Sequence, residues 1–337
     1  MLPFKLVYSD AYYLPIGEHV FPAEKYRLIR DRLLAEGVAG AKDFLKPEPA
    51  TDQDILLVHT PEYVHKLKTG TLSQREQMEL EIPYSKELVE AFWLSAGGSI
   101  LAARQALTDG VGISIGGGFH HAFPDHGEGF CMIHDVAVAI RRLQRDDKIQ
   151  TAMTVDCDVH QGNGTAAIFA GTRTASALLP SAGASTLDSS SLSSELPGRI
   201  RGAHAGEVFT ISLHQHNNYP LWKPPSSIDV DLPDGTEDGD YLAWLDNALS
   251  SGLRQLEPDL LCYVAGADPY REDQLGGLSL TIEGLKRRDE LVFRVARARN
   301  IPVMVTFAGG YAQKVEDTVT IHCNTVVAAK EVFGARN

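Results

Sequence analysis

Asp156, Asp158 and His160 stand at alternate positions where an apolar run, residues 151–155, gives way to Gln161-Gly162-Asn163-Gly164. In extended chain every second residue shares a face, so these three side chains project together while Cys157 and Val159 turn away. A carboxylate and an imidazole two residues apart can ligate one divalent metal. A catalytic metal commonly takes three protein ligands and leaves a further position for water or substrate. The glycines that follow permit a sharp turn and close backbone approach. Read alone, the same residues would also suit an Asp/His-rich turn that starts a helix.

Three more apolar runs end in the same manner. Gly116-Gly117-Gly118-Phe119-His120-His121 follows residues 111–115, Gly266-Ala267-Asp268 follows 260–265, and Gly309-Gly310-Tyr311 follows 301–308. Each joins a β-like stretch to glycine and to a side chain that can hold metal, move a proton or donate to an oxyanion. Open α/β sheets bind ligands beyond the carboxyl ends of their strands, so these four ends are expected to meet. Helical patterns at 23–36, 86–109, 135–146, 239–256 and 282–299 lie between the runs, with Pro22 and Thr281 as start signals. A further strand is expected at 208–213. Alternation of this kind predicts a single-domain α/β fold: a mainly parallel sheet, helices on both faces, and the active site at the C-terminal ends of the strands.

In this order the motifs resemble the zinc-dependent histone deacetylase superfamily, which has the arginase-deacetylase fold, over about residues 8–327. Within it the chain is most similar to the class IV branch and its bacterial relatives. That similarity rests on Gly116-Gly117-Gly118-Phe119-His120-His121, Val159-His160-Gln161-Gly162-Asn163-Gly164, Gly235-Thr236-Glu237-Asp238, Leu275-Gly276-Gly277-Leu278-Ser279 and Lys286-Arg287-Arg288-Asp289-Glu290-Leu291-Val292-Phe293.

The resemblance implies Asp158, His160 and Asp268 as ligands of zinc, a donor set that also tolerates Fe2+. It implies His121 as general base and acid and His120 as an electrostatic helper, with Asp156 behind His120 and Asn163 behind His121. Some relatives carry Asp where this chain has Asn163, so His121 is expected to be less basic here. Tyr311 is implied as donor to the oxyanion; class II relatives often have His at that place. The Gly129 carbonyl and the Phe130 ring are implied for the substrate channel. Tyr219 is a looser candidate for the opposite wall, with core packing as the alternative. A structural K+ site is implied at Asp156, Asp158, His160, Ser212 and the Leu213 carbonyl. The family's exit-channel arginine finds no clean match among Lys25, Arg27 and Arg30. An arginase-like pair of manganese ions would need further carboxylates, and Gly162 and Tyr270 stand two residues after His160 and Asp268 instead, so one metal is expected.

The 337 residues are 44% hydrophobic and 22% charged, ordinary for a globular protein. A net charge of −13 argues against binding nucleic acid through its phosphates. Cysteines 131, 157, 262 and 323 show no CxxC spacing and suit free thiols in a reducing compartment. The N-terminus lacks the pattern of a signal peptide, and no apolar run approaches the ~18 residues of a membrane span. A soluble, cytoplasmic protein is expected, nuclear also being open in a eukaryote. Residues 171–207, with Ser181-Ala182-Gly183-Ala184-Ser185 and Ser189-Ser190-Ser191, exceed the connection in such relatives by roughly 30 residues. They read as a flexible insertion, with a regulatory or partner-binding loop as the other reading.

The function expected is zinc-dependent hydrolysis of acyl-lysine amides, acetyl or longer, by a metal-activated water. An acylated small amine, such as an acetylpolyamine, is the alternative substrate. A non-catalytic scaffold is the rival from another class, although such scaffolds tend to lose the ligands and bases that this chain keeps.

Overall fold

The computed structural model describes residues 1–170 and 206–334; apart from Gly206 and Glu207, the Ser-rich segment expected at 171–207 lies outside the described residues. Eight strands, β1 (Lys5–Val7), β2 (Phe44–Leu45), β3 (Val111–Ser114), β4 (Ala152–Asp156), β5 (Val208–Gln215), β6 (Ile228–Leu232), β7 (Leu260–Val264) and β8 (Val303–Thr306), form one sheet in the order β2-β1-β3-β8-β7-β4-β5-β6. Every pairing is parallel. β3, β4, β7 and β8 are buried at each residue. That is why they read as unbroken apolar runs instead of alternating ones: helices cover both faces.

The helices are α1 (Lys25–Ala35), α2 (Asp52–Ile55), α3 (Pro61–Thr69), α4 (Gln74–Leu80) and α5 (Lys86–Asp109), followed by α6 (Asp135–Arg145), α7 (Asn163–Phe169), α8 (Asp238–Gln255), α9 (Ile282–Ala298) and α10 (Val315–Gly334). The five helices expected from periodicity are found within two residues at each end. The α5 helix shows the local logic. Ser85 caps it by accepting from the Leu88 N–H, and Gly110 ends it in the left-handed region at φ 85°. Between these caps it packs along α6, β3 and β8. Among the described residues, no helix is long and apolar enough to cross a membrane, and all four cysteines are buried and free.

One buried ion pair ties this frame to the loops that leave it. Arg288, on α9, is wholly buried, and its Nη1 donates to the Gly266 carbonyl at 2.6 Å and the Cys157 carbonyl at 3.3 Å. It thereby joins the loop after β7 to the loop after β4. Its Nε lies 2.9 Å from Asp289 Oδ1. Asp289 also accepts from the Tyr263 hydroxyl at 2.5 Å and the Thr325 hydroxyl at 2.6 Å. Removing one partner of such a pair leaves the other charge buried and uncompensated, at a cost of about 3–5 kcal/mol. Arg288→Met is therefore expected to lower unfolding free energy by about that amount in chemical denaturation. A loss below about 1 kcal/mol would show that the pair is not what holds these loops.

Candidate active site

β4 ends on Asp156, and the chain then turns Asp158 and His160 toward Asp268, which the loop after β7 carries. The ligand atoms of Asp158, His160 and Asp268 lie within 4.8 Å of one another, and all three residues are buried. His160 Nδ1 is 3.0 Å from Asp158 Oδ1 and 3.5 Å from Asp268 Oδ2. Backbone N–H groups orient the carboxylates: Val159 donates to Asp268 Oδ1 at 2.9 Å, and Gly309 to Asp158 Oδ2 at 2.9 Å. Asp268 Oδ2 is buried and accepts no hydrogen bond among the described residues. At Gly309 the close approach leaves no alternative to glycine, since a Cβ there would meet Asp268 Oδ2 at 1.9 Å and Asp158 Oδ2 at 2.6 Å.

Burial and charge act against each other in this cradle. Burial first, and then the Asp158 charge, push Asp268 up to about 7. Burial also works against ionised Asp158, but His120 and His160 outweigh it and hold that carboxyl well below its ordinary value. His160 is drawn up to about 10 by the two carboxylates against the effect of burial. An imidazole and two carboxylates, one of which has an oxygen that accepts no hydrogen bond among the described residues, suit one divalent ion with an open coordination position. Among the described residues this is the one such group found.

His120 and His121 follow the glycines after β3, their ring centroids 4.1 Å apart, and they have different partners. His120 Nδ1 is 2.6 Å from Asp156 Oδ2. Burial lowers His120, but Asp156 and Asp158 reverse this and bring it up to about 9. His121 Nδ1 is 2.7 Å from Asn163 Oδ1. Burial, with the neighbouring His120 and His160, holds His121 well below its ordinary value, so its ring is neutral.

Tyr311 leaves β8 with its ring 6.4 Å from the His160 ring and 6.1 Å from the Phe130 ring, centroid to centroid. Burial, and then Asp158 and Asp268, raise its hydroxyl, which stays protonated as a donor. Asp273 clamps it: one carboxylate oxygen accepts the Tyr311 N–H at 2.7 Å, the other the N–H groups of Leu275 and Gly276. Gln274 Nε2 donates to the Tyr311 carbonyl at 2.8 Å.

Of the three cations considered at the sequence level for an exit channel, the structure brings Lys25 to the site. Its Nζ donates to the Ala308 carbonyl at 2.6 Å and lies 4.7 Å from the Phe21 ring centroid. Burial lowers it to about 8, while Asp268, Asp158 and Asp273 act to raise it. Arg27 and Arg30 instead pair with Asp31 near the surface.

Gly129 and Phe130 both have positive φ, 53° and 67°. The Phe130 ring meets His19 edge-on at 4.7 Å. Tyr219 belongs to the site and not to the distant core: its ring lies 5.0 Å from that of His121 and 6.2 Å from that of His160. Its hydroxyl donates to Glu128 Oε1 at 2.5 Å. Glu128 also accepts from Asn163 Nδ2 at 2.7 Å. Outside these residues a cavity of about 780 Å³ opens, with Glu79, Glu81, Asp125 and Glu128 beside Tyr219 and Trp222. Ser212, expected at a monovalent-cation site, sits opposite Asp156 in the β4–β5 register, with Leu213 next along the strand; its hydroxyl is 3.0 Å from His214 Nδ1.

Comparison with known proteins agrees with this architecture. The family model described as histone deacetylase domain matches residues 19–326. An uncharacterised protein of Picosynechococcus sp. (strain PCC 7002) is 36% identical over 331 residues, covering 98% of this chain and 99% of that one. Histone deacetylase 2 of Arabidopsis thaliana is 30% identical over 319 residues, covering 91% of this chain and 74% of its own. Histone deacetylase 1 of Homo sapiens is 25% identical, and the match spans 58% of its length. In fold, the crystal structure of an HDAC homolog complexed with SAHA superposes with a TM-score of 0.74 at 22% identity, over 99% of this chain and 84% of that one. An HDAC homolog from Aquifex aeolicus gives 0.73 at 22% identity, over 98% and 84%. A parallel sheet whose strand ends gather this Asp/His/Asp group, and a family match over most of its length, identify the chain as a member of the histone deacetylase family.

Proposed function

We propose that the protein is a zinc-dependent deacylase that hydrolyses the amide of acyl-lysine side chains. The observation that carries this reading is the buried Asp158–His160–Asp268 group with neutral His121 and the Tyr311 ring arranged around it. A zinc ion held by Asp158, His160 and Asp268 would supply Lewis acidity to the acyl carbonyl and make water acidic enough to be deprotonated near neutral pH.

The chain's own groups do the rest. His121 takes the proton of the attacking water at Nε2, the ring nitrogen turned away from Asn163. Tyr311 donates its hydroxyl to the oxygen of the former carbonyl as negative charge develops there. His120, drawn toward the charged form by Asp156, adds positive charge beside that oxyanion. The carbon–nitrogen bond then breaks, and the proton taken from water passes to the departing lysine amine. Gly129, Phe130 and Tyr219 enclose the aliphatic stem of the lysine, which has no polar group to satisfy. The structural K+ site at Asp156, Asp158, His160, Ser212 and Leu213 belongs to the same reading, as does a catalytic domain made of the whole chain.

The class IV-like motifs leave room for fatty-acyl groups beside acetyl. The acids around the outer cavity, which Lys66 and Arg75 also line, suit a free cationic amine as well as a lysine-rich protein, so charge does not separate the two. Rates on one lysine peptide, acetylated or myristoylated, and on an acetylated polyamine separate these. Zinc-loaded protein is expected to cleave a peptide, and faster loss of myristoyl would place it with fatty deacylases. Cleavage of the polyamine alone would move the substrate to small amines; cleavage of none would overturn the hydrolase reading. Tyr311→Phe is expected to lower kcat about 10²–10³-fold.

A further inference from the structure

We infer that Glu128 is a positioning residue for the general base: it fixes the amide of Asn163, and through that amide the tautomer of His121. The inference rests on the reading of His121 as the group that accepts a proton from water. Glu128 lies in Gly127-Glu128-Gly129-Phe130, from which only the glycine and the phenylalanine are implied for the channel, yet its carboxylate touches the group behind His121.

Hydrogen-bond polarity decides which way the Asn163 amide faces. Glu128 Oε1 receives Asn163 Nδ2 at 2.7 Å and the Tyr219 hydroxyl at 2.5 Å, and Oε2 lies 3.7 Å from His126 Nε2. Burial acts to raise Glu128, but His126, Tyr219 and Asn163 outweigh it and hold the carboxyl below its ordinary value. It is therefore an ionised acceptor with no proton to give. The other end of the amide meets a donor: the Gly164 N–H points to Asn163 Oδ1 at 3.1 Å. An acceptor on one side and a donor on the other leave Asn163 a single orientation, oxygen toward His121 and nitrogen toward Glu128. Turning the amide over would set its oxygen against a carboxylate and its NH2 group against the Gly164 N–H.

His121 must answer that orientation. Its Nδ1, 2.7 Å from Asn163 Oδ1, has to carry the hydrogen. A neutral imidazole has one N–H, so Nε2 is left bare, the form a general base requires. An aspartate at position 163 would accept from His121 with either oxygen and would need no such help. An asparagine there needs a second group to say which way it faces, and Glu128 is that group. Because Glu128 directly precedes Gly129 and Phe130 and holds Tyr219, one carboxylate links the channel walls to the base.

The contrast between an amide and a carboxylate at position 163 supplies the test. Glu128→Leu removes the acceptor and is expected to lower kcat about 10–100-fold, the usual range for a partner behind a catalytic or ligand histidine. Glu128→Gln keeps an acceptor oxygen and is expected to restore most of that activity. In an Asn163→Asp background, where an aspartate oxygen would face the Glu128 carboxylate, Glu128→Leu is expected to cause no loss of kcat. Nitrogen-15 spectra of the imidazoles, with His121 assigned by substitution, give a readout apart from turnover. The wild type should show the Nδ1–H form, and Glu128→Leu a mixture of both tautomers. A loss from Glu128→Leu that is equal with and without the Asn163→Asp change, or an unchanged His121 tautomer in Glu128→Leu, would overturn the role of Glu128. Absence of hydrolysis in the wild type would overturn the deacylase reading, and the nitrogen spectrum would still decide Glu128.

Discussion

Asp158 and Asp268 are buried side by side at the carboxyl edge of a parallel sheet, and their mutual repulsion sets the terms for everything around them. Burial first, and then the Asp158 charge, keep the Asp268 carboxyl up at about 7. The fold answers with positive charge and oriented dipoles. Val159 and Gly309 present N–H groups, His160 lies between the carboxylates, and Lys25 sits buried beneath the Ala308 carbonyl. Arg288 pins the two ligand loops from below without touching the carboxylates themselves. Among the described residues Asp268 Oδ2 accepts no hydrogen bond, and the group it belongs to could hold a divalent ion.

The same field divides labour between two adjacent histidines. His120 faces the carboxylate of Asp156 and is drawn toward the charged form; His121 faces the amide of Asn163 and stays neutral. A site built from two equally basic imidazoles would offer no distinct proton acceptor. Here burial lowers both rings; the Asp156 and Asp158 carboxylates reverse it at His120, while His120 and His160 add to it at His121, whose amide partner brings no negative charge.

How much of this was legible in sequence follows from how far each contact reaches along the chain. The ends of β3, β4, β7 and β8 were readable because buried parallel strands are apolar runs, and each is followed at once by glycine and a reactive side chain. Asp158, His160 and Asp268 came with those ends, and the structure gathers them. Tyr219 could not be placed, since it reaches the site from a loop after β5 that carries no periodic signal. The roles of Asp273, Glu128 and Arg288 carry no local signal for a similar reason, and nothing in sequence singles out Lys25 from Arg27 and Arg30. Lys25 acts on a carbonyl 283 positions away and Arg288 on one 131 positions away, so neighbouring residues give no sign of either contact. β1 and β2 are too short to show a pattern. α10 buries Thr318, His322 and Thr325 among its apolar residues, so polar and apolar side chains do not separate cleanly onto two faces.

The claim on which the rest depends is that Asp158, His160 and Asp268 hold a single catalytic metal. Calorimetric titration of zinc into metal-free protein, beside Asp268→Asn, tests it most directly. The account predicts one tightly bound ion per chain in the wild type and loss of that binding in the variant. No binding in the wild type, or equal binding after Asp268→Asn, would contradict it.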